Sequence, residues 1–139
     1  MDPCVFCKIV SGEIPSTKVY EDDLVLSFMD INPINLGHLL VIPKKHSRLV
    51  RDMDPKTSAH LFDVSQKISS AMRLSGINCE GINFLINDGR SAGQEVEHVH
   101  MHLIPRFSGD KFKVSFISSI ERPKREVLDE ISKKIKYKI

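Results

Sequence analysis

The chain has no apolar run approaching the roughly 20 residues that a membrane-spanning helix needs. Its longest runs, residues 39–43 and 81–86, are far shorter. No basic region followed by a long apolar stretch opens it, so no secretory signal is expected and the expectation is a cytoplasmic protein without a membrane partner. The formal net charge is only +2, and much of the excess lies in the lysines of 133–138. These lack the interleaved aromatics that stack bases, so they read as a solvated helix face and no nucleic-acid partner is expected. An even cysteine count is missing as well: there are three cysteines. A reducing compartment disfavours disulfides, which leaves Cys4 and Cys7 to a metal, redox or plain structural role and Cys79 as an ordinary packed or edge thiol. Internal repeats, low-complexity tracts and composition shifts are all absent. A single domain over 1–139 follows, long enough to bury a core without disulfide staples.

Within that domain, Leu24, Leu26 and Phe28 alternate with Val25, Ser27 and Met29, predicting one strand within residues 19–30 that closes at Asn32-Pro33. Residues 37–43 form a second, more buried strand ending at Pro43, which cannot donate to a ladder. Asp54-Pro55 supplies a helix N-cap and first position. Leu61, Val64, Ile68 and Met72 then recur at helical spacing until Gly76 stops the helix. Residues 81–87 and 95–104 are strand-like, joined by a glycine-containing loop, 88–94, of the kind that often holds ligands. Beyond Pro105, residues 111–118 fit an extended segment. Residues 122–135, with Val127, Leu128, Ile131 and Ile135 on one side, fit a C-terminal helix.

The strongest pattern is His98-Val99-His100-Met101-His102. Alternate residues of a strand share a face about 6.6 to 7 Å apart, so three imidazoles line one surface while Val99, Met101 and Leu103 enter the core. Three readings stand: a half-buried strand with an ordinary polar face, a metal site, or covalent catalysis. Neutral imidazole is nucleophilic near pH 7 and attacks phosphorus to give an adduct that water resolves. In the last case the backbone N–H groups beside Gln94 are candidate donors to the phosphoryl oxygens.

His98-Val99-His100-Met101-His102-Leu103-Ile104 resembles the signature of the histidine triad (HIT) family of nucleotide hydrolases and transferases. The likeness extends in order through Phe6-Cys7-Lys8-Ile9, Gly12-Glu13-Ile14-Pro15, Asp30-Ile31-Asn32-Pro33, residues 37–46, and Asn87-Asp88-Gly89 to Gly93-Gln94. It implies an α+β fold: a five-stranded antiparallel sheet with one long helix, a short N-terminal helix and a C-terminal helix, assembled as a homodimer. By the same resemblance His100 attacks the α-phosphorus of a purine nucleotide substrate, while His102 and His38 flank the phosphate and leaving group. Asn87 and Gln94 are polar groups around the phosphate, Asp30 accepts from the ribose hydroxyls, and Phe6, Ile9, Ile14 and Phe28 wall the base pocket. Each has a plainer alternative: a strand-start histidine for His38, a turn cap for Asp30, core packing for the apolar four. Two departures concern substrate choice. Glu95 stands where one branch often has a small hydroxyl residue, and the 107–139 extension resembles the longer prokaryotic members.

The two-residue gap of Cys4-Val5-Phe6-Cys7 lets both thiolates reach one metal ion. A redox pair is the other reading, although such pairs usually follow a strand in a thioredoxin-like pattern. The resemblance implies a structural zinc held by Cys4, Cys7, His46 and His98. Nucleotide hydrolysis or transfer at the α-phosphate, through a covalent nucleotidyl-histidine, is therefore expected. A nucleotide-binding regulator with little turnover and a hydrolase with catalytic zinc on His98, His100 and His102 are the competing readings.

Overall fold

The computed structural model describes residues 4–139. Met1, Asp2 and Pro3, part of the N-terminus on which the absence of a signal was argued, lie outside the described residues. A short helix α1 (Val5–Val10) precedes strands β1 (Lys18–Glu21), β2 (Val25–Met29) and β3 (Leu39–Pro43), the long helix α2 (Pro55–Leu74), strands β4 (Gly81–Leu85) and β5 (Met101–Arg106), and a final helix α3 (Arg125–Lys136). The strands form one antiparallel sheet in the order β1-β2-β3-β5-β4. No helix among the described residues is long and apolar enough to cross a membrane.

Period-two alternation divides the sheet's side chains between two layers. Val25, Leu39, Val41, Met101 and Leu103 meet Leu61, Val64, Ile68 and Met72 of α2 on one face. Leu26, Phe28, Leu40 and Ile42 meet Phe6 and Ile9 of α1 on the other. The long helix starts as expected, with the Asp54 carboxylate accepting from the Thr57 N–H at 2.9 Å and Pro55 at the first position. Gly37 has φ +101°, so a residue with a Cβ would be strained there, and its Cβ, 2.7 Å from Ile77 Cδ1, would push that side chain aside.

Four local expectations are corrected. The single strand within 19–30 is two, because the Asp22 Oδ1 atom accepts from the N–H groups of Leu24 (2.8 Å) and Val25 (2.9 Å) and folds the chain into a turn. The strand expected over 95–104 begins only at Met101, since Val99 N–H is drawn to the Ser47 carbonyl at 2.8 Å instead of a ladder partner. That strand also runs through Pro105 to Arg106; β3 has already ended opposite Leu103, so the ring meets no ladder bond on that side. Residues 111–118 form no strand.

Candidate active site

The face of the sheet that carries α1 also carries the histidines. Across it Phe28 pairs with Leu40 and Leu40 with His102, which places His102 beside an apolar wall. His38 at the entry to β3 and His100 just before β5 are both buried. The rings of His38 and His102 lie 5.1 Å apart and those of His100 and His102 5.0 Å apart.

Backbone partners fix the protons. Nδ1 of His100 lies 2.7 Å from the His98 carbonyl, and a carbonyl only accepts, so Nδ1 carries the proton and Nε2 keeps its lone pair. Nδ1 of His38 accepts from the Ile34 N–H at 3.1 Å, so the His38 proton sits on Nε2 and is donated to His102 Nδ1 at 2.9 Å. His102 is thereby left with its own proton on Nε2. Burial foremost, and then the neighbouring His100 and His38, push His102 down to about 4, and burial also lowers His38 against the pull of Asp30. Both are neutral at pH 7. Asp30, His38 and His102 have donor atoms close enough to surround a cation. A cation on His38 Nε2 would require the proton to move to Nδ1, against the Ile34 N–H, and this disfavours metal there.

Cys4, Cys7, His46 and His98 have the opposite character. His98 donates Nε2–H to the Pro43 carbonyl at 2.7 Å, which turns the Nδ1 lone pair toward Cys4 Sγ (3.4 Å) and Cys7 Sγ (3.6 Å). His46 Nδ1 lies 3.3 Å from Cys7 Sγ, and all four donor atoms fall within 4.8 Å of one another. Two sulfurs and two nitrogens at these separations suit a closed tetrahedral ion, and the carbonyl behind His98 is the outer partner such ligands usually have. The residues present fit zinc.

The expected pocket residues converge. Phe6 packs edge-on against Phe28, His98 and His100, at 5.6, 5.8 and 5.2 Å between ring centroids. Ile9 belongs to the same cluster, and Ile14 and Val96 pack against it. Asp30 Oδ1 accepts from the Asn32 N–H at 2.8 Å, the turn-capping bond, while Oδ2 lies 3.5 Å from His38 Nε2. Gln94 holds its loop together: its Oε1 accepts from Gly89 N–H at 2.7 Å and its Nε2 donates to the carbonyls of Arg48 and Val96. Asn87 donates to the Gly93 carbonyl at 3.3 Å. The N–H groups of Gly89, Ala92, Gly93 and Gln94 also close the loop on itself, so these four are not the outward donors expected from the sequence. Glu95 is exposed. Sequence reasoning missed Val96 among the apolar walls, although an apolar residue two before His98 was available as a signal. It also missed the Ile34 N–H and the Pro43 carbonyl, which no side-chain pattern reveals.

The HIT domain model matches residues 11–109. Protein hit of Bacillus subtilis is 44% identical over 133 residues, covering 95% of this chain and 91% of that one. The adenosine 5'-monophosphoramidase hnt1 of Schizosaccharomyces pombe is 43% identical over 103 residues, 74% of each chain. Among solved structures, a HIT family protein from Bacillus anthracis superposes with a TM-score of 0.91 at 41% identity, over 99% of this chain and 98% of that one. A Zn-bound histidine triad family protein from Mycobacterium smegmatis superposes with a TM-score of 0.75 at 41% identity, over 95% and 97%. With its family model matched over most of its length and its fold shared at this identity, the chain belongs to the HIT domain family.

Proposed function

We propose that this protein hydrolyses or transfers at the α-phosphate of a purine nucleoside phosphate derivative, a nucleotide phosphoramidate or a dinucleoside polyphosphate, through a covalent nucleotidyl-His100 intermediate. The observation that carries the reading is the His100 Nδ1–H bond to the His98 carbonyl, which leaves Nε2 as a free nucleophile. In the first step Nε2 forms the new bond to phosphorus, the bond to the leaving group breaks, and the leaving atom takes a proton. Water then displaces the imidazole to give the nucleoside monophosphate. His102, neutral with Nε2–H, is the donor beside His100. Phe6, Ile9, Ile14 and Phe28 would hold the base, Asp30 the ribose, and Asn87 and Gln94 would shape the loop beside the phosphate.

Zinc on Cys4, Cys7, His46 and His98 would be structural, a cross-link between the α1 end of the chain and a residue two positions before the nucleophile. This separates it from the catalytic-zinc reading: His98 Nδ1 faces the thiols, whereas His100 Nδ1 faces a carbonyl. A homodimer through α2 and β4 completes the proposal. β4 is a sheet edge, and Phe62 of α2 and Phe84 of β4, exposed and 6.2 Å apart, form an apolar step beside it.

The test is mass spectrometry of the enzyme after rapid quenching at high pH with a panel of adenosine and guanosine phosphoramidates, dinucleoside polyphosphates and nucleotide sugars. The chain should gain one nucleoside monophosphate on the peptide containing His100. An adduct on another residue would overturn the mechanism.

A further inference from the structure

Among the described residues, α3 is the one long helix that contributes no buried residue to either core layer. Every residue of it except Ser132 is exposed, including Val127, Leu128, Ile131 and Ile135, which with Ile120 and Pro123 line a shallow apolar groove along one side. Isolated helices of about 12 to 15 residues or fewer are marginal in water, and most helical stability comes from packing an apolar face. α3, with 12 residues, belongs to that range.

The charges indicate what covers it. Apart from Arg125, the N-terminal half is acidic (Glu126, Asp129, Glu130) and the C-terminal half basic (Lys133, Lys134, Lys136). An anionic lipid surface would meet the acidic half unfavourably. A parallel copy would set like charges side by side, whereas an antiparallel copy sets acidic half against basic half. On a helical projection Glu130 and Lys134 flank the same edge of the apolar stripe one turn apart. A two-fold axis through the Ile131 turn brings Glu130 to Lys134 of the partner subunit, and the reverse, while Val127 faces Ile135 of the partner subunit. We infer that α3 pairs antiparallel with α3 of a second copy of this chain. This contact is separate from the β4 edge.

Hydrogen–deuterium exchange of residues 125–136, followed by mass spectrometry on the full-length protein, tests this without reference to other interfaces. Wild-type α3 should be protected. Glu130→Lys puts two positive charges beside the stripe and Lys134→Glu two negative ones, so each variant alone repels its own copy and should exchange about tenfold faster. An equilibrated equimolar mixture of the two restores both cross-axis pairs and should recover protection. Each substitution also sets like charges four residues apart in its own helix, but mixing cannot repair that, so recovery reports only the contact between copies. Three results would overturn the inference: exchange of wild-type α3 at the rate of unstructured chain, protection indifferent to both substitutions, or no recovery in the mixture.

Discussion

The carbonyl of His98 accepts the Nδ1 proton of His100 at 2.7 Å, while the ring of the same His98 turns its Nδ1 toward Cys4 and Cys7. One residue therefore joins the thiol cluster to the candidate nucleophile, its side chain serving the first and its backbone the second.

Substitutions should separate the histidines by kind. His100→Asn should leave almost no turnover, while nucleotide binding, proposed to rest on Asp30 and the apolar walls, should persist. His102→Ala and His38→Ala remove proton placement, which typically costs about 10² to 10⁴ in rate, so both should retain measurable activity. Steady-state kinetics with one phosphoramidate, together with equilibrium nucleotide binding, reads the difference. An active His100→Asn enzyme would refute covalent catalysis.

Purified protein should carry about one zinc per chain, and chelation should lower the melting temperature more than it lowers turnover measured well below that temperature. Elemental analysis and thermal melting check this. Cys7→Ser should reproduce the stability loss without chelator. Metal-free protein that melts at the same temperature as purified wild type would remove the zinc assignment.

Acid should weaken the fold through His102. Its folded value of about 4 lies below the roughly 6.5 of an unfolded chain, so as pH falls below about 6.5 the unfolded chain takes up the proton first. Stability is full at pH 7, declines between about 6.5 and 4, and then levels off as far as this group is concerned. The loss should be about 1 to 3 kcal/mol. Urea unfolding of wild type and His102→Asn at several pH values isolates the contribution. Equal slopes over that window would contradict it.

Ser27 is fully buried on β2, and its hydroxyl has no hydrogen-bond partner among the described residues. Ser27→Ala relieves an unsatisfied polar group and should stabilise the protein by about 1 kcal/mol, visible as a shifted urea midpoint. A loss of that size would mean that the hydroxyl has a partner after all.

Much of this molecule is legible from residue order. The bounds of α2 follow from Asp54, Pro55 and Gly76, and the inward set Val99, Met101, Leu103 from simple alternation. The parts that are not legible depend on backbone atoms meeting across long separations. Nothing in the sequence near Val99 announces that the Ser47 carbonyl takes its N–H and delays the strand to Met101. Gln94 carries no local sign that its amide holds Gly89, Arg48 and Val96. The turn at Asp22 is hidden because its neighbours are apolar and strand-like on both sides. For α3 the apolar stripe is plain in the sequence, but which surface covers it is not.

The edge-on contacts of Phe6 with Phe28, His98 and His100 bear on the order in which the chain assembles during synthesis. A helix of six residues has no stability alone. α1 leaves the ribosome before the sheet does, yet two of the rings it rests on are not made until residues 98 and 100. A nascent chain stopped short of residue 98 therefore lacks two of the three rings against which Phe6 packs edge-on. Exposure of the α1 end to early oxidation and to chaperones is greatest in that interval, before His98 and His100 arrive.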